Sequence, residues 1–359
     1  MKLTTILALL TAAVLSASCA TSQGGNQDAP LTIKEQGSFA AGGKVIQAPG
    51  TFNPNSPFDP AGQTLHGDHA RVFYQKPVQP RKYPITFLHG AGQFAKTWES
   101  TPDGREGFQT IFLRRNFSVY VLDQPRRAGA GRSTVAMNVT LATDDQMWFQ
   151  QFRLGVWPNF NQGVQFPQDK ESLNQFFRQM TPNTGAFDVG VISDSIAALY
   201  EKTGPGILVT HSQGGGPGWF SAMKSSNIKA VVSYESGSGF PFPDGEVPEP
   251  IPNKFNKLLT ADRVPMDEFK KLTRIPIILY YGDFIAETPQ ENPAKDYWYA
   301  ALRMANLWAA TVNRHGGDVT VLQLPKAGIT GNTHFAFSDL NNVQVADHLS
   351  GWLKEKKLD

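Results

Sequence analysis

The feature that most constrains this chain is a serine between an apolar run and a glycine-rich run. The sequence reads Ile207-Leu208-Val209, then Thr210-His211-Ser212-Gln213-Gly214, and then Gly215-Gly216-Pro217-Gly218. The apolar run predicts a buried strand, and the glycines predict a sharp turn into a helix. This pattern is typical of a nucleophile elbow, in which the serine hydroxyl stands free at the carboxyl end of a sheet.

The elbow requires small residues close to the serine, because its helix passes very near its strand. Gly214 meets that requirement two residues after Ser212, but Thr210 stands where a glycine is expected two residues before it. A serine with one flanking glycine also occurs in ordinary turns, so the motif alone does not decide the fold. An assignment of the fold therefore also depends on motifs elsewhere in the chain.

A second motif supports the elbow from upstream. The buried strand predicted at Tyr83-Pro84-Ile85-Thr86-Phe87-Leu88 leads directly into His89-Gly90-Ala91-Gly92-Gln93. A His-Gly turn in this position presents one backbone N–H group to an oxyanion, and the donor is the residue after the glycine. Ala91 and Gln213, the residue after the serine, are therefore the predicted pair of oxyanion donors.

Strand and helix patterns alternate along the chain. Strands are predicted at residues 118–123, 207–210, 228–234, 275–281 and 319–324, and helices at residues 189–202, 295–313 and around the apolar stripe of residues 345–353. Such alternation predicts an α/β fold with a mostly parallel central sheet and helices on both faces. Ligands of such sheets bind at the carboxyl ends of the strands, where Ser212 lies.

Composition sets limits on size and partners. The 359 residues, 40% of them hydrophobic, can bury a large core, and we interpret residues 31–359 as one domain with insertions. The net charge of +2 is spread without long blocks, which indicates no nucleic-acid partner. No metal-binding spacing and no phosphate-binding or complete dinucleotide-binding loop is present, so neither a metal nor a cofactor is predicted.

The first thirty residues predict export. Lys2 precedes an apolar stretch over residues 6–17, which is typical of a signal peptide ending near residue 20. Cys19, the only cysteine, follows Leu15-Ser16-Ala17-Ser18, so lipidation of Cys19 with a membrane tether and ordinary cleavage after Ala20 are both open. Residues 21–30 are predicted to be a flexible tether. The expected location is periplasmic, secreted or lipid-anchored.

Two segments interrupt the alternation and are interpreted as cap insertions over the candidate site. Residues 134–188 are rich in Trp and Phe, and residues 236–273 are rich in proline. Trp148 and Trp157 are the residues we select from the first segment as candidates for a substrate pocket. The alternative is that these aromatics fill a satellite core beneath long loops.

A nucleophilic serine needs a base and an acid that orients the base. His334, in Gly331-Asn332-Thr333-His334, lies between the last predicted strand and the last helix, where the chain order of serine, acid and histidine places the base. Two carboxylates compete for the acid: Asp283, in Tyr281-Gly282-Asp283, and Glu235, which ends the strand after the elbow helix. The geometry inferred from sequence leaves both open.

Several segments together resemble a small family of secreted bacterial arylesterase-like α/β-hydrolases. The resemblance is carried by residues 97–105, 120–124, 129–133, 210–214, 234–235, 331–334 and 341–347, and it extends over most of the chain after residue 30. It implies an acid Glu after the sixth strand, a Ser or Thr two residues before the nucleophile, and hydrolysis of carboxylic esters. Transferred residue by residue to this chain, the resemblance implies a catalytic triad of Ser212, Glu235 and His334. The chain departs from the family in the oxyanion turn, where Ala91-Gly92 stands in place of other small residues.

The sequence therefore predicts an exported serine carboxylesterase that acts on small aryl or alkyl esters through an acyl-enzyme, with no cofactor. An amidase, a lactonase or an aminopeptidase would use the same triad. A noncatalytic cell-surface binding protein could keep the same fold.

Overall fold

The computed structural model describes residues 29–359. The predicted signal peptide, Cys19 and most of the predicted tether lie outside the described residues. Within residues 29–359, no helix combines the length and the apolar character that crossing a bilayer would require.

A central sheet of eight strands organises the described part of the chain. In chain order, the strands are β1 (Ile33–Gln47), β2 (Thr64–Pro77), β3 (Ile85–Leu88), β4 (Val119–Asp123), β5 (Gly206–His211), β6 (Ile228–Tyr234), β7 (Pro276–Tyr281) and β8 (Asp318–Gln323). Their order across the sheet is β1-β2-β4-β3-β5-β6-β7-β8. Strands β3 to β8 are mutually parallel, and β2 is antiparallel to both of its neighbours. The predicted α/β class with a mostly parallel sheet is confirmed.

The long hairpin of β1 and β2 is the part of the sheet that the sequence pattern does not predict. Its strands pair in antiparallel register from Ile33 opposite Pro77 to Gln47 opposite Thr64. Ala41 is the only fully buried residue of β1, so the strand lacks the apolar alternation by which half-buried strands are recognised. Its glycines, such as Gly42 and Gly43, further weaken the strand signal.

Helices cover both faces of the sheet. The α-helices of the described residues are α1 (Lys96–Glu99), α2 (Phe108–Arg114), α3 (Asp145–Gln151), α4 (Lys170–Phe177), α5 (Val189–Thr203), α6 (Gly215–Lys224), α7 (Met266–Phe269), α8 (Pro293–Arg314) and α9 (Asn342–Glu355). Consecutive residues of a strand enter opposite cores: Leu88 belongs to the core that includes residues of α5, α6 and α8, whereas Phe87 belongs to the core that includes residues of α2 and α9. A parallel sheet buried on both faces requires such continuous apolar strands.

The two segments interpreted as insertions carry little regular structure. Residues 134–188 contain α3, α4 and a short hairpin of Gly155–Val156 with Asn159–Phe160. Residues 236–273 contain α7, one turn of 3₁₀ helix that extends to Arg274, and two pairs of three-residue strands. Both segments follow the carboxyl end of a central strand, β4 for the first and β6 for the second, so they start at the edge where Ser212 lies.

Candidate active site

The candidate nucleophile lies on a tight strand-to-helix connection. Strand β5 ends at His211, a turn of 3₁₀ helix covers Ser212–Gly214, and α6 begins at Gly215. The φ angle of Ser212 is 53°, a region that residues other than glycine rarely adopt. A Cβ atom on Gly214 would lie 2.6 Å from the carbonyl oxygen of His89, so only glycine fits there. The local structure is that of a nucleophile elbow.

Thr210 fits because a glycine lies opposite it in the helix. A Cβ atom on Gly218 would lie 2.7 Å from Thr210 Cγ2, and the absence of that atom gives the threonine its space. Thr210 Oγ1 also donates a hydrogen bond of 2.9 Å to Ser233 Oγ on β6. The close approach of strand and helix is therefore achieved by a glycine in α6 rather than by one in β5.

The His-Gly turn after β3 packs directly against the elbow. A Cβ atom on Gly90 would lie 2.7 Å from Ser212 Cβ and 3.0 Å from His211 Nδ1, so this contact also requires glycine. His89 Nε2 accepts a hydrogen bond of 3.1 Å from the backbone N–H of Gln124, which fixes the turn to the end of β4. Ala91 and Gln213, the predicted oxyanion donors, line the same cavity as Ser212.

His334 also borders this cavity. Its Nδ1 atom lies 3.5 Å from Glu235 Oε2, and within the described part of the chain its Nε2 atom has no hydrogen-bond partner. Its ring stacks on Phe152 at a centroid distance of 5.3 Å, and its backbone N–H donates to the Phe152 carbonyl. His211 Nε2 donates to the His334 carbonyl oxygen at 3.0 Å. These contacts fix the ring with one nitrogen toward the carboxylate and the other without a partner.

His334 is neutral in this environment. Its side chain is fully buried, and burial lowers its pKa well below the usual 6.5 because desolvation disfavours the imidazolium form. The nearby positive charge of Arg153 lowers the pKa further. A neutral imidazole is the form that can accept a proton from a hydroxyl group.

Glu235 follows β6 in a strained conformation and is completely buried. Its φ angle is 59°, and its backbone N–H donates to the Tyr280 carbonyl on β7. Glu235 Oε1 accepts hydrogen bonds from Arg153 Nη2, at 2.6 Å, and from the backbone N–H of Gly282. One carboxylate oxygen is therefore held by Arg153 and Gly282, while the other faces His334.

Asp283 has a different set of partners. Its Oδ2 atom accepts from the Gly331 N–H at 2.9 Å, and its Oδ1 atom accepts from the Phe284 N–H at 2.7 Å. Its carbonyl oxygen accepts from Arg153 Nε. Asp283 thus binds the first residue of the loop Gly331–His334, whereas Glu235 contacts the imidazole of His334. The distances favour Glu235 over Asp283 as the orienting acid.

The cavity at Ser212 has a volume of about 190 Å³. Its described lining comprises Ala91, Trp148, Gln151, Phe152, Ser212, Gln213, Gly237, Ser238, Phe255, Tyr297, Trp298 and His334. Trp148 comes from the first insertion, and Gly237, Ser238 and Phe255 come from the second. Trp157 does not line the cavity: it is 41% exposed and packs edge-on against Phe149 at 5.3 Å. The structure therefore places only Trp148 of the two predicted pocket residues at this cavity, because aromatic content does not distinguish a cavity wall from a surface contact.

Two known proteins resemble this chain over most of its length. A curated protein named "Probable secreted lipase phiG", from Fungal sp. (strain ATCC 74256), is 26% identical over 326 residues, which cover 79% of this chain and 84% of that protein. A solved structure described as "The Atomic Resolution Structure of a Novel Bacterial Esterase" is 28% identical, covers 91% of this chain and 97% of its own, and superposes with a TM-score of 0.71. The chain has the α/β-hydrolase fold. No protein-family model matches it.

Arg153 is one residue of this α/β-hydrolase site that sequence reasoning missed. It lies just after α3 with a φ angle of 58°, is 2% exposed, and places its guanidinium carbon 4.9 Å from the ring centroid of Trp298. Its ion pair with Glu235 spans 82 residues. An arginine within an aromatic-rich insertion gives no local signal of such a distant partner, so the sequence could not reveal this contact.

The charge of Arg153 predicts a specific pH dependence. Activity that needs neutral His334 is lost when the imidazole is protonated, so the lowered pKa keeps the acid limb of kcat/KM below pH 6.5. In Arg153→Gln the positive charge is absent, the pKa of His334 rises, and the acid limb should move to higher pH. The measurement is the pH profile of kcat/KM, with the exposed Arg263→Gln as the control. A limb that stays in place or moves to lower pH contradicts this electrostatic role.

Proposed function

We propose that this protein is an exported serine ester hydrolase of the secreted arylesterase-like type. The observation that carries the proposal is the single cavity shared by Ser212, His334, Ala91 and Gln213, with Glu235 placed behind the imidazole. Similarity to a protein named a secreted lipase and to a bacterial esterase supports ester hydrolysis, and the name of the first also supports export.

The proposed reaction proceeds through an acyl-enzyme. His334 accepts the proton of Ser212 as the serine oxygen attacks the ester carbonyl, and Glu235 stabilises the imidazolium that forms. The backbone N–H groups of Ala91 and Gln213 bind the resulting oxyanion. His334 then protonates the leaving alcohol. In the second half of the reaction His334 accepts a proton from water as the water oxygen attacks the acyl carbon, and it returns that proton to Ser212 Oγ as the acyl–oxygen bond breaks and the acid leaves.

The cavity supports small, uncharged substrates. Its volume of about 190 Å³ lies below the roughly 300–1,000 Å³ typical of ligand pockets. Aromatic side chains form much of its described lining, and none of these lining residues is Asp, Glu, Lys or Arg. Apolar walls stabilise a bound alkyl group by about 0.8 kcal/mol per buried methylene, and they offer no partner to a charged one. We therefore propose short aryl or alkyl esters as substrates, with residues 134–188 and 236–273 as the cap.

A fluorophosphonate probe tests this proposal directly, because it reacts only with an activated serine. Mass spectrometry of the labelled protein should place the modification on the peptide that contains Ser212. An aryl ester and its matching amide, assayed together, should show hydrolysis of the ester at the higher kcat/KM. An unlabelled, inactive protein would indicate a binding protein of this fold, and preferential cleavage of the amide would indicate an amidase.

The two tryptophans of the first insertion provide a matched test of the substrate class. Trp148→Ala should reduce kcat/KM for esters in proportion to their apolar size, because Trp148 lines the cavity, whereas Trp157→Ala should leave the series unchanged. The measurement is kcat/KM over esters from acetate to octanoate. A series that is flat in the wild type and unaffected by Trp148→Ala would place substrate binding elsewhere.

A further inference from the structure

Arg127 lies behind the turn that carries the proposed oxyanion donor. Its Nη1 atom donates a hydrogen bond of 2.7 Å to the carbonyl oxygen of Gly90, and its Nε atom donates one of 2.7 Å to Asn183 Oδ1. The Arg127 side chain belongs to the loop that follows β4, and the residue is only 2% exposed. The guanidinium is therefore enclosed by protein at the back of the turn.

The charge of Arg127 is unusual because no carboxylate among residues 29–359 pairs with it. In the described part of the chain Arg127 takes part in no ion pair, whereas the neighbouring Arg126 pairs with Asp68 at 2.7 Å. Burial lowers the pKa of Arg127 to about 10, which still leaves it charged at neutral pH. A buried charge without a counter-ion is unfavourable for folding, so its presence behind the turn points to a role at the site.

The hydrogen bond to Gly90 acts on the donor at Ala91 because both belong to one peptide group. The Gly90 carbonyl and the Ala91 N–H are conjugated through the C–N bond. A cationic donor on that oxygen draws electron density toward it, so the N–H becomes a stronger donor. The positive charge itself also favours a negative oxygen in the cavity, because little water screens the interaction there.

The same contact contributes to the position of the turn, because the Gly90 carbonyl oxygen accepts from Arg127 Nη1 at 2.7 Å as well as from His89 Nδ1 at 3.1 Å and the Gln93 N–H at 3.2 Å. Gly90 packs so closely against Ser212 that an added Cβ atom would lie 2.7 Å from Ser212 Cβ. A small displacement of the Gly90–Ala91 peptide would therefore change the distance between the oxyanion donor and the candidate nucleophile. Catalytic hydrogen bonds of this kind depend on such prearranged geometry.

We propose that Arg127 is a positioning residue that polarises the Gly90–Ala91 peptide and thereby strengthens the oxyanion site. This inference rests on the proposed function, since it concerns the oxyanion of ester hydrolysis. The effect belongs to the transition state, so it should appear in kcat and leave KM unchanged.

The experiment compares Arg127→Gln and Arg127→Lys with Arg126→Gln. The last variant removes a buried guanidinium one residue away, whose partner is Asp68 rather than the turn. Direct loss of one oxyanion donor costs about 10²–10³ in kcat, so Arg127→Gln, which weakens a donor indirectly, should cost roughly 10- to 100-fold. Arg127→Lys keeps the charge and should fall between Arg127→Gln and the wild type. Arg126→Gln should lower the unfolding temperature but keep kcat within about twofold.

A trifluoromethyl ketone separates this role from a purely structural one. Ser212 Oγ bonds to the ketone carbon, the carbonyl electron pair moves onto the oxygen, and the hydroxyl proton passes to His334, which creates the oxyanion without a leaving group. Its inhibition constant should rise in Arg127→Gln by the same factor by which kcat falls. If Arg127→Gln does not fold, the fall in kcat and the rise in the inhibition constant are compared in Arg127→Lys, where both should be smaller.

The outcomes distinguish this inference from the proposed function. Parental kcat and inhibition constant in Arg127→Gln, or in Arg127→Lys where that variant carries the test, overturn the role of Arg127 and leave the ester hydrolase intact. A loss of kcat in Arg126→Gln equal to that in Arg127→Gln also overturns it, because general destabilisation would then account for both. A wild-type protein that neither hydrolyses esters nor reacts with the fluorophosphonate overturns both proposals.

Discussion

Replacing Ser212 with alanine is expected to abolish ester hydrolysis while the fold stays intact. Alanine keeps the Cβ atom that packs against Gly90 and meets the same strain at a φ angle of 53°. Only the hydroxyl group is lost, and with it the acyl-enzyme. Removal of the nucleophile alone reduces kcat by on the order of 10⁶-fold in a well-studied serine protease, and the remaining site retains roughly 10³–10⁴ over water.

The matched control for Ser212→Ala is Ser238→Ala, which removes a second serine hydroxyl from the same cavity. Steady-state hydrolysis of an aryl ester and fluorophosphonate labelling should both disappear in Ser212→Ala and persist in Ser238→Ala. Unchanged unfolding temperatures would show that the loss is chemical. Near-parental turnover in folded Ser212→Ala would exclude Ser212 as the nucleophile.

The sequence predicts the parts of this molecule whose signals are local. Strands β3 to β7 are short, mostly apolar runs bounded by turn residues, and β8 carries alternating valines, while the elbow and the His-Gly turn are short motifs, so their positions follow from neighbouring residues. Thr210 shows the limit of such motifs: the missing glycine is replaced by Gly218, eight residues later, and only the packing of α6 on β5 reveals this.

Contacts between residues that are far apart in the sequence are seen only in the structure. Arg153 reaches Glu235 across 82 residues, and Arg127 reaches Gly90 across 37. Both are buried arginines on loops, and arginine is usually a surface residue, so its presence in the sequence indicates nothing about such a partner. The sequence also leaves open which of Glu235 and Asp283 orients His334, because both follow parallel strands at the same edge of the sheet.

If Glu235 is the acid that orients His334, Glu235→Gln should lower kcat by about 10⁴-fold. An amide in place of the orienting carboxylate can favour the wrong imidazole tautomer, and it cannot stabilise the imidazolium. The substitution also leaves Arg153 buried without its ion-pair partner, an arrangement that typically costs about 3–5 kcal/mol of unfolding free energy. Activity must therefore be measured at a temperature where the variant is folded.

Asp283→Asn is the matched variant for Glu235→Gln, since it also converts a carboxylate near the His334 loop into an amide. The introduced amide would keep one acceptor for the N–H groups of Phe284 and Gly331, so we expect lower thermal stability with kcat reduced by less than about tenfold. Unfolding free energies from denaturant titration, measured beside kcat, separate the two effects. If Asp283→Asn instead causes the 10⁴-fold loss and Glu235→Gln the small one, Asp283 is the acid. The 3.5 Å approach of Glu235 to His334 would then serve only the packing of the site.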